Sequence, residues 1–378
     1  KNVIFFSGNR AEYTFQKVAI KSLQKKFKVS FLLSGSHLKK EFGSFKKNIV
    51  KDKIKISKVL DIKGNTNNIT NLNSYLSKLY GKISHYLKDK KFDYSFVFSD
   101  RFESLVFANI CFMYQIPIIH YEGGDQTSGG TYDDKIRHAI SLISDFHFVS
   151  NKNSEKNLIK MGIDKKKIKN IGLLSLHENY SKRNHVKRFK NFLKKNFIDK
   201  KTKFLLFTYH PIPILGNLNL KNFKICLEAL KYLSNKGWKI IVTSPNFDPF
   251  YREITKEIFK TKSNKNIIFI KNLGSFYYHS LLKFAGNNKN GICVGNSSSG
   301  IKEANFFSCP SINIGNRQLG RLKPKSVFDV KENKSNIIKE IEKVFRLNKK
   351  RKIKFEKNLY FKKNLKKNIS NYLDNFDL

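Results

Sequence analysis

The chain has 378 residues, 40% of them hydrophobic, and carries 74 Lys+Arg against 29 Asp+Glu, a formal net charge of +45. That length exceeds one comfortable core and predicts two domains, and no apolar stretch reaches the length of a membrane span. Cys111, Cys226, Cys293 and Cys309 stand far apart in apolar settings with no C-x-x-C, which argues against a zinc site or a disulfide framework and for buried thiols.

The N-terminal run lacks the charged-then-apolar-then-small pattern of a signal peptide, so the expected compartment is the cytosol. The lysines are spread over the whole chain beside Asn, Ile and Phe, with no RNP-like, helix-turn-helix or zinc-finger signature. A codon-level preference for Lys and Asn on solvated faces explains the excess more simply than a nucleic-acid surface. A positive field still attracts anionic substrates.

Asn2–Ser7 reads as a buried strand. The turn Gly8-Asn9-Arg10-Ala11-Glu12-Tyr13-Thr14 then opens a helix to about Lys25, a βα unit whose helix start favours an anion. Val29–Leu33 is a second strand, and the polar stretch Lys46–Thr70 reads as irregular. A helix over Leu72–Leu87 follows, then a strand over Tyr94–Phe98 that ends on Ser99-Asp100-Arg101, then a helix over Glu103–Met113. Asp100 therefore lies just past a strand carboxyl end, where open α/β sheets bind ligands. The plainer reading makes it a helix N-cap.

The apolar run Ile116–Ile119 leads into H-Y-E-G-G-D-Q-T-S-G-G-T-Y-D-D-K-I-R-H at 120–138, the stretch around which the chain is organised. Glu122, Asp125, Asp133 and Asp134 gather within one loop and the first turn of the next helix. On that helix Asp133 and Arg137 share one face, and Asp134 and His138 the adjacent one. Carboxylates grouped at the end of a parallel strand suit proton transfer. In the plainer reading they stabilise the helix start, and Arg137 is a solvated ion-pair partner.

A strand over Asp145–Ser150 and a helix over Asn153–Met161 complete the first half, and polar residues from Gly172 to Lys187 mark a boundary. Strands over Phe204–Thr208, Lys239–Thr243, Ile267–Ile270, Gly291–Val294 and Ser311–Ile314, with helices between them, predict a second doubly wound domain. The tail after Val344 is lysine-rich and helix-like. Gly295-Asn296-Ser297-Ser298-Ser299-Gly300-Ile301-Lys302-Glu303 follows a strand and opens a helix. It reads either as a diphosphate cradle with Glu303 on a ribose or as a serine-rich cap. Arg317 and Arg321, in G-N-R-Q-L-G-R at 315–321, reach the same sheet edge. His210 ends another strand of this domain, and Asn246 and Asp248 follow a further one.

Together these motifs resemble the hydrolysing UDP-N-acetylglucosamine 2-epimerases. The motifs are N-R-A-E-Y at 9–13, S-D-R-F-E at 99–103, H-Y-E-G-G-D at 120–125, D-D-K-I-R-H at 133–138, H-P at 210–211, P-N-F-D at 245–248 and the two runs at 295–303 and 315–321. The resemblance implies a GT-B-type fold, α/β with two Rossmann-like doubly wound domains facing a central cleft. Residues 1–178 would carry the carboxylates, 179–355 would bind the nucleotide, and 356–378 would form a helical tail.

Residue by residue, the resemblance implies catalytic roles for Asp100, Glu122, Asp133 and His210. It implies substrate binding by Arg10, Thr14, Arg101, Asn246, Gly274, Ser297, Ser298, Glu303 and Arg317. The implied reaction removes the C2 proton of a 2-acetamido sugar nucleotide with anti loss of UDP. Water then adds to the resulting 2-acetamidoglucal and releases N-acetylmannosamine for sialic acid synthesis. No metal or other cofactor is implied, and a homodimer is.

Five departures bear on the substrate. Asp125 stands where many relatives have Glu, Ser99 where Gly is usual, and Leu142 and Asp145 where Lys and His are common; the loop Gln126–Tyr132 is also slightly longer than in some. The alternative substrate is a UDP- or GDP-linked 2,4-diacetamido-2,4,6-trideoxyhexose on the route to legionaminic acid. A GT-B glycosyltransferase and a basic nucleic-acid-binding protein are the readings from other classes.

Overall fold

The computed structural model describes residues 1–8, 10–38, 49–63, 69–98, 100–129, 132–178, 183–245, 249–363 and 365–374. The chain divides into two compact units: Lys1–Gln126, Tyr132–Glu178 and Phe361–Leu378 form the first, and Thr127–Thr131 with Asn179–Tyr360 the second.

In the first unit, strands β1 (Asn2–Ser7), β2 (Lys28–Leu33), β3 (Lys58–Val59), β4 (Tyr94–Phe98), β5 (Ile118–Tyr121), β6 (Phe146–Val149) and β7 (Ile168–Asn170) form one sheet. Their order is β3-β2-β1-β4-β5-β6-β7, and every pair is parallel. Helices α1 (Arg10–Leu23), α2 (Ile69–Leu87), α3 (Phe102–Met113), α4 (Asp133–Leu142) and α5 (Lys152–Lys160) connect the strands. A strand covered on both faces reads as a near-continuous apolar run, and β1 has V-I-F-F between Asn2 and Ser7. Val3 and Phe5 enter one core with Val18 and Leu23 of α1, while Ile4 and Phe6 enter the opposite core with Leu79, Ile83 and Phe107. Phe5 stacks on Phe96 of the neighbouring β4 at 4.7 Å between ring centroids.

The second unit repeats the scheme with β8 (Phe204–Thr208), β9 (Lys239–Thr243), β10 (Ile267–Ile270), β11 (Gly291–Gly295), β12 (Ser311–Ile314) and β13 (Val327–Val330). The order is β10-β9-β8-β11-β12-β13, again parallel throughout. Helices α6 (Arg183–Lys195), α7 (Leu218–Asn235), α8 (Tyr251–Phe259), α9 (Gly274–Asn288), α10 (Ser298–Lys302) and α11 (Lys334–Lys349) belong to it. Leu205 and Phe207 face one core, Phe204 and Leu206 the other. The last helix, α12 (Leu365–Asp374), puts Leu365, Ile369 and Leu373 into the first unit's core.

Three strands escape the sequence reading: β3, inside the stretch read as irregular, and β7 and β13. All three lie at sheet edges, where one-sided pairing defines a strand without a long apolar run. The apolar run at 116–119 feeds a strand that starts two residues later, at Ile118. Helix α6 starts inside the stretch read as loop; it buries no residue fully, and Phe189, Phe192 and Leu193 half-bury against the core. All four cysteines are buried free thiols, and burial pushes Cys111 up to about 12 and Cys293 up to about 11. Among the described residues no helix is long and apolar enough to cross a membrane.

Candidate active site

In each unit the strand order reverses between two central strands, β1 and β4 in the first and β8 and β11 in the second. Outside the carboxyl ends of such strands the two connecting segments part and leave a crevice, the general ligand position of open α/β sheets.

In the first unit Asp100 follows β4 and Glu122 follows β5, and these strands are hydrogen-bonded neighbours with Phe98 opposite Tyr121. The two acids therefore leave adjacent strand ends. Asp100 is not the cap of α3, because Arg101 holds the N-cap position and makes no side-chain cap bond. Glu122 is buried with φ +72°, a left-handed conformation that costs a non-glycine residue on the order of 1 kcal/mol or more. Its backbone N–H is held by the carbonyl of Phe148, 3.0 Å away on β6. The glycine pair after it has a steric cause at Gly124, where φ is +71° and a Cβ would lie 2.2 Å from the Ser154 carbonyl oxygen. The chain turns hard against α5 there, and Asn157 clamps it by donating to the Gly124 carbonyl at 2.8 Å.

Asp133 opens α4, and one turn later Arg137 points inward. The plain expectation of a solvated Arg137 is wrong: its side chain is 1% exposed. Nη2 donates to Asp100 Oδ2, while Nη1 donates to Asp134 Oδ1 at 2.6 Å and to the Asp125 carbonyl at 2.8 Å. Burial works to lower the guanidinium pKa, yet the net shift is upward, because Asp100, Asp125, Asp134 and Asp133 all face it. Arg137 thus gathers the β4 end, the loop after β5 and the first turn of α4. The i,i+4 spacing from Asp133 was the signal for it. Helical spacing alone does not say which face is buried. Glu12 of the first motif has a structural task here, accepting from the Ser104 hydroxyl at 3.0 Å and joining α1 to α3. Thr14 is half-buried on α1. The structure describes only the backbone of Arg10, at the first position of α1.

In the second unit the glycine ending β11 is dictated by its neighbour. Gly295 pairs with Thr208 at φ +134°, and a Cβ would meet the Thr208 carbonyl oxygen at 1.9 Å. Asn296, 1% exposed, then bridges the two strand ends. Its Oδ1 accepts from the His210 backbone N–H at 2.6 Å, and its Nδ2 donates to the His210 carbonyl at 2.7 Å. The Asn296 carbonyl in turn accepts from Gln318 Nε2 at 2.8 Å and Arg317 Nη1 at 3.2 Å. His210, Ser297 and Arg317 are brought together through this one asparagine, whose importance the sequence reading missed.

Ser297 caps the short helix α10, with Ser298 at its first position and Glu303 closing it. Tyr278 and His279 of α9 lie behind that loop. The Tyr278 and Ser299 hydroxyls are 2.6 Å apart, and His279 Nε2 lies 3.0 Å from Glu303 Oε2 with both side chains largely buried. Burial, first of several causes, raises the Tyr278 hydroxyl well above its usual pKa, so it stays protonated. Gly274 starts α9 at φ +65°, exposed, with its N–H on Asn272 Oδ1. Asn246 lies outside the described residues.

The family model for UDP-N-acetylglucosamine 2-epimerase matches residues 21–374. The chain belongs to that family. It is 33% identical over 340 residues to the GDP/UDP-N,N'-diacetylbacillosamine 2-epimerase (hydrolyzing) of Campylobacter jejuni, covering 87% of this chain and 84% of the relative. It is 26% identical over 334 residues to the UDP-N,N'-diacetylbacillosamine 2-epimerase (hydrolyzing) of Legionella pneumophila, 87% of this chain and 85% of that one. Against the UDP-N-acetylglucosamine 2-epimerase of Neisseria meningitidis the figure is 27% over 359 residues, 92% and 89%.

Among solved structures, the UDP-N-acetylglucosamine 2-epimerase of Neisseria meningitidis bound to UDP-GlcNAc superposes with a TM-score of 0.79 at 19% identity over 99% of both chains. A UDP co-structure of MnaA from S. aureus gives 0.77 at 18% identity, over 99% of this chain and 96% of that one. These likenesses show the fold class expected, α/β of the GT-B-like type with two parallel sheets. The family and its relatives named as hydrolysing make this chain a hydrolysing 2-epimerase of the UDP-sugar class.

Proposed function

We propose that this family member hydrolyses and epimerises a UDP-linked 2,4-diacetamido-2,4,6-trideoxyhexose, releasing UDP and the free C2 epimer for nonulosonic acid synthesis. What carries the reading is the 33% identity, over 87% of the chain, to the Campylobacter jejuni hydrolysing enzyme named for N,N'-diacetylbacillosamine. The second reading is UDP-N-acetylglucosamine, favoured by the 27% identity to the Neisseria meningitidis enzyme.

In the proposed reaction a carboxylate takes the C2 proton, the electron pair forms the C1=C2 bond, and the C1–O bond to UDP breaks. Water then adds its oxygen to C1 of the 2-acetamidoglucal, and a proton returns to C2 from the opposite face. Asp100, Glu122 and Asp133 are our candidates for the acid–base work. Support comes from the adjacent strand ends that carry Asp100 and Glu122, and from the tie between Asp100 and the Asp133 helix through Arg137. Proton transfer of this kind contributes roughly 10²- to 10⁴-fold in rate. Ser297, Ser298 and Glu303 would hold diphosphate and ribose, with Arg10, His210 and Arg317 as phosphate partners. Thr14, Arg101, Asn246 and Gly274 complete the substrate contacts. Oriented hydroxyls and fixed cations stabilise the charge on a departing diphosphate.

The test is turnover without any sugar acceptor, comparing UDP- and GDP-linked diacetamido sugars with UDP-N-acetylglucosamine. We expect free UDP and free sugar, with kcat/KM highest on the UDP-linked diacetamido substrate. Higher kcat/KM on UDP-N-acetylglucosamine would establish the second reading, and turnover only with an added acceptor would point to a transferase.

A further inference from the structure

We propose that Arg137 is a positioning residue that holds Asp100 in one orientation and in its ionised form, making Asp100 a fixed anion of the site and leaving removal of the C2 proton to Glu122. The inference rests on the proposed reaction and assigns parts within it. Arg137 is 1% exposed, and its fork reaches three separate segments: Nη2 to Asp100 after β4, and Nη1 to Asp134 on α4 and to the Asp125 carbonyl in the loop after β5. The groups facing the guanidinium from these elements are Asp100, Asp125, Asp134 and Asp133. An arginine has five donors in a rigid plane and keeps its charge, so it holds two acids and a carbonyl in register as a lysine cannot.

An ionised carboxylate beside a guanidinium is acceptor-only and a weak base, because the cation favours its charged form. It suits stabilising positive charge at C1 while the C1–O bond to UDP breaks. Glu122, at the next strand end, is the acid placed beside it to carry the proton. Neighbouring carboxylates of one site can divide the electrostatic role from the proton-carrying one.

The experiment compares wild type, R137K and R137M for kcat, KM, UDP affinity and the pH profile of kcat, with melting temperature and circular dichroism as folding controls. R137M removes the charge. We expect kcat to fall about 100-fold or more, with KM and the Kd for UDP within about threefold of wild type. The acid limb of kcat should move up, because the variant lacks the cation that favours the ionised Asp100. R137K keeps charge but not the fork, so kcat should fall about tenfold with the limb unmoved.

Loss spread equally over kcat, KM and UDP affinity with an unmoved limb in R137M means a structural role and overturns the inference. Near-wild-type kcat in either variant overturns it too. If R137M does not fold, R137K decides alone: a tenfold loss confined to kcat supports the inference, and wild-type kcat sinks it. A wild-type enzyme that turns over no sugar nucleotide refutes the proposed function itself, a result distinguishable from either.

Discussion

His279 Nε2 stands 3.0 Å from Glu303 Oε2, behind the loop that ends β11, and the two side chains are 3% and 11% exposed. A carboxylate this buried needs a donor, and its orientation is set by whichever group supplies one. If Glu303 grips the ribose, His279 decides where that grip lies.

His279→Leu should therefore weaken UDP binding by about tenfold or more, the price of leaving a buried carboxylate short of a partner (~1–3 kcal/mol). Titration calorimetry with UDP checks this. His279→Gln, which keeps a donor, should recover part of the loss. Unchanged affinity in the leucine variant would remove Glu303 from the nucleotide site.

Glu122 combines a left-handed backbone with the proposed role in proton transfer. Glu122→Gln should lower kcat about 100-fold or more while leaving UDP affinity within about twofold. Glu122→Gly should be as inactive, yet melt at or above the glutamine variant, because glycine accepts a φ of +72° without cost. A glycine variant that melts well below the glutamine one would mean that side-chain contacts, not the backbone, dominate this position.

Asn296→Ala removes both side-chain bonds to the buried His210 backbone. The expected cost is about 2–5 kcal/mol of stability, together with weakened UDP binding. Chemical denaturation and calorimetry on one preparation check both. Loss of stability with intact UDP affinity would confine Asn296 to a folding role.

His147 supplies a pH dependence away from the site. The ring is fully buried on β6, and burial first, with Lys167 second, pushes its pKa down from 6.5 to about 4. Between those values the unfolded chain binds the proton and the folded one does not. Stability from this group is thus complete above pH 6.5 and falls as pH drops toward 4, by on the order of 3 kcal/mol. Melting temperatures from pH 7.5 to 4.5 should fall less steeply for His147→Phe than for wild type. Parallel curves would contradict the assignment.

The central elements were legible in the sequence because both faces of β1, β4, β8 and β11 are covered, so they read as near-continuous apolar runs. The edge strand β10 was legible too, but Lys58–Val59, Ile168–Asn170 and Val327–Val330 were not, since they are strands through pairing with a neighbour rather than through composition. In the site, the acids and the serine loop stood out as residue types at strand ends. Arg137, Asn296 and His279 did not, because each acts through partners 12 to 86 residues away that only the fold brings near.

The most direct measurement of the central claim is the product formed in D₂O from the UDP-linked diacetamido sugar, followed by NMR with no acceptor present. Proton removal at C2 followed by addition of water predicts free UDP and a free epimerised sugar carrying deuterium at C2. A sugar released with its original C2 proton, or one still attached to UDP, would contradict it.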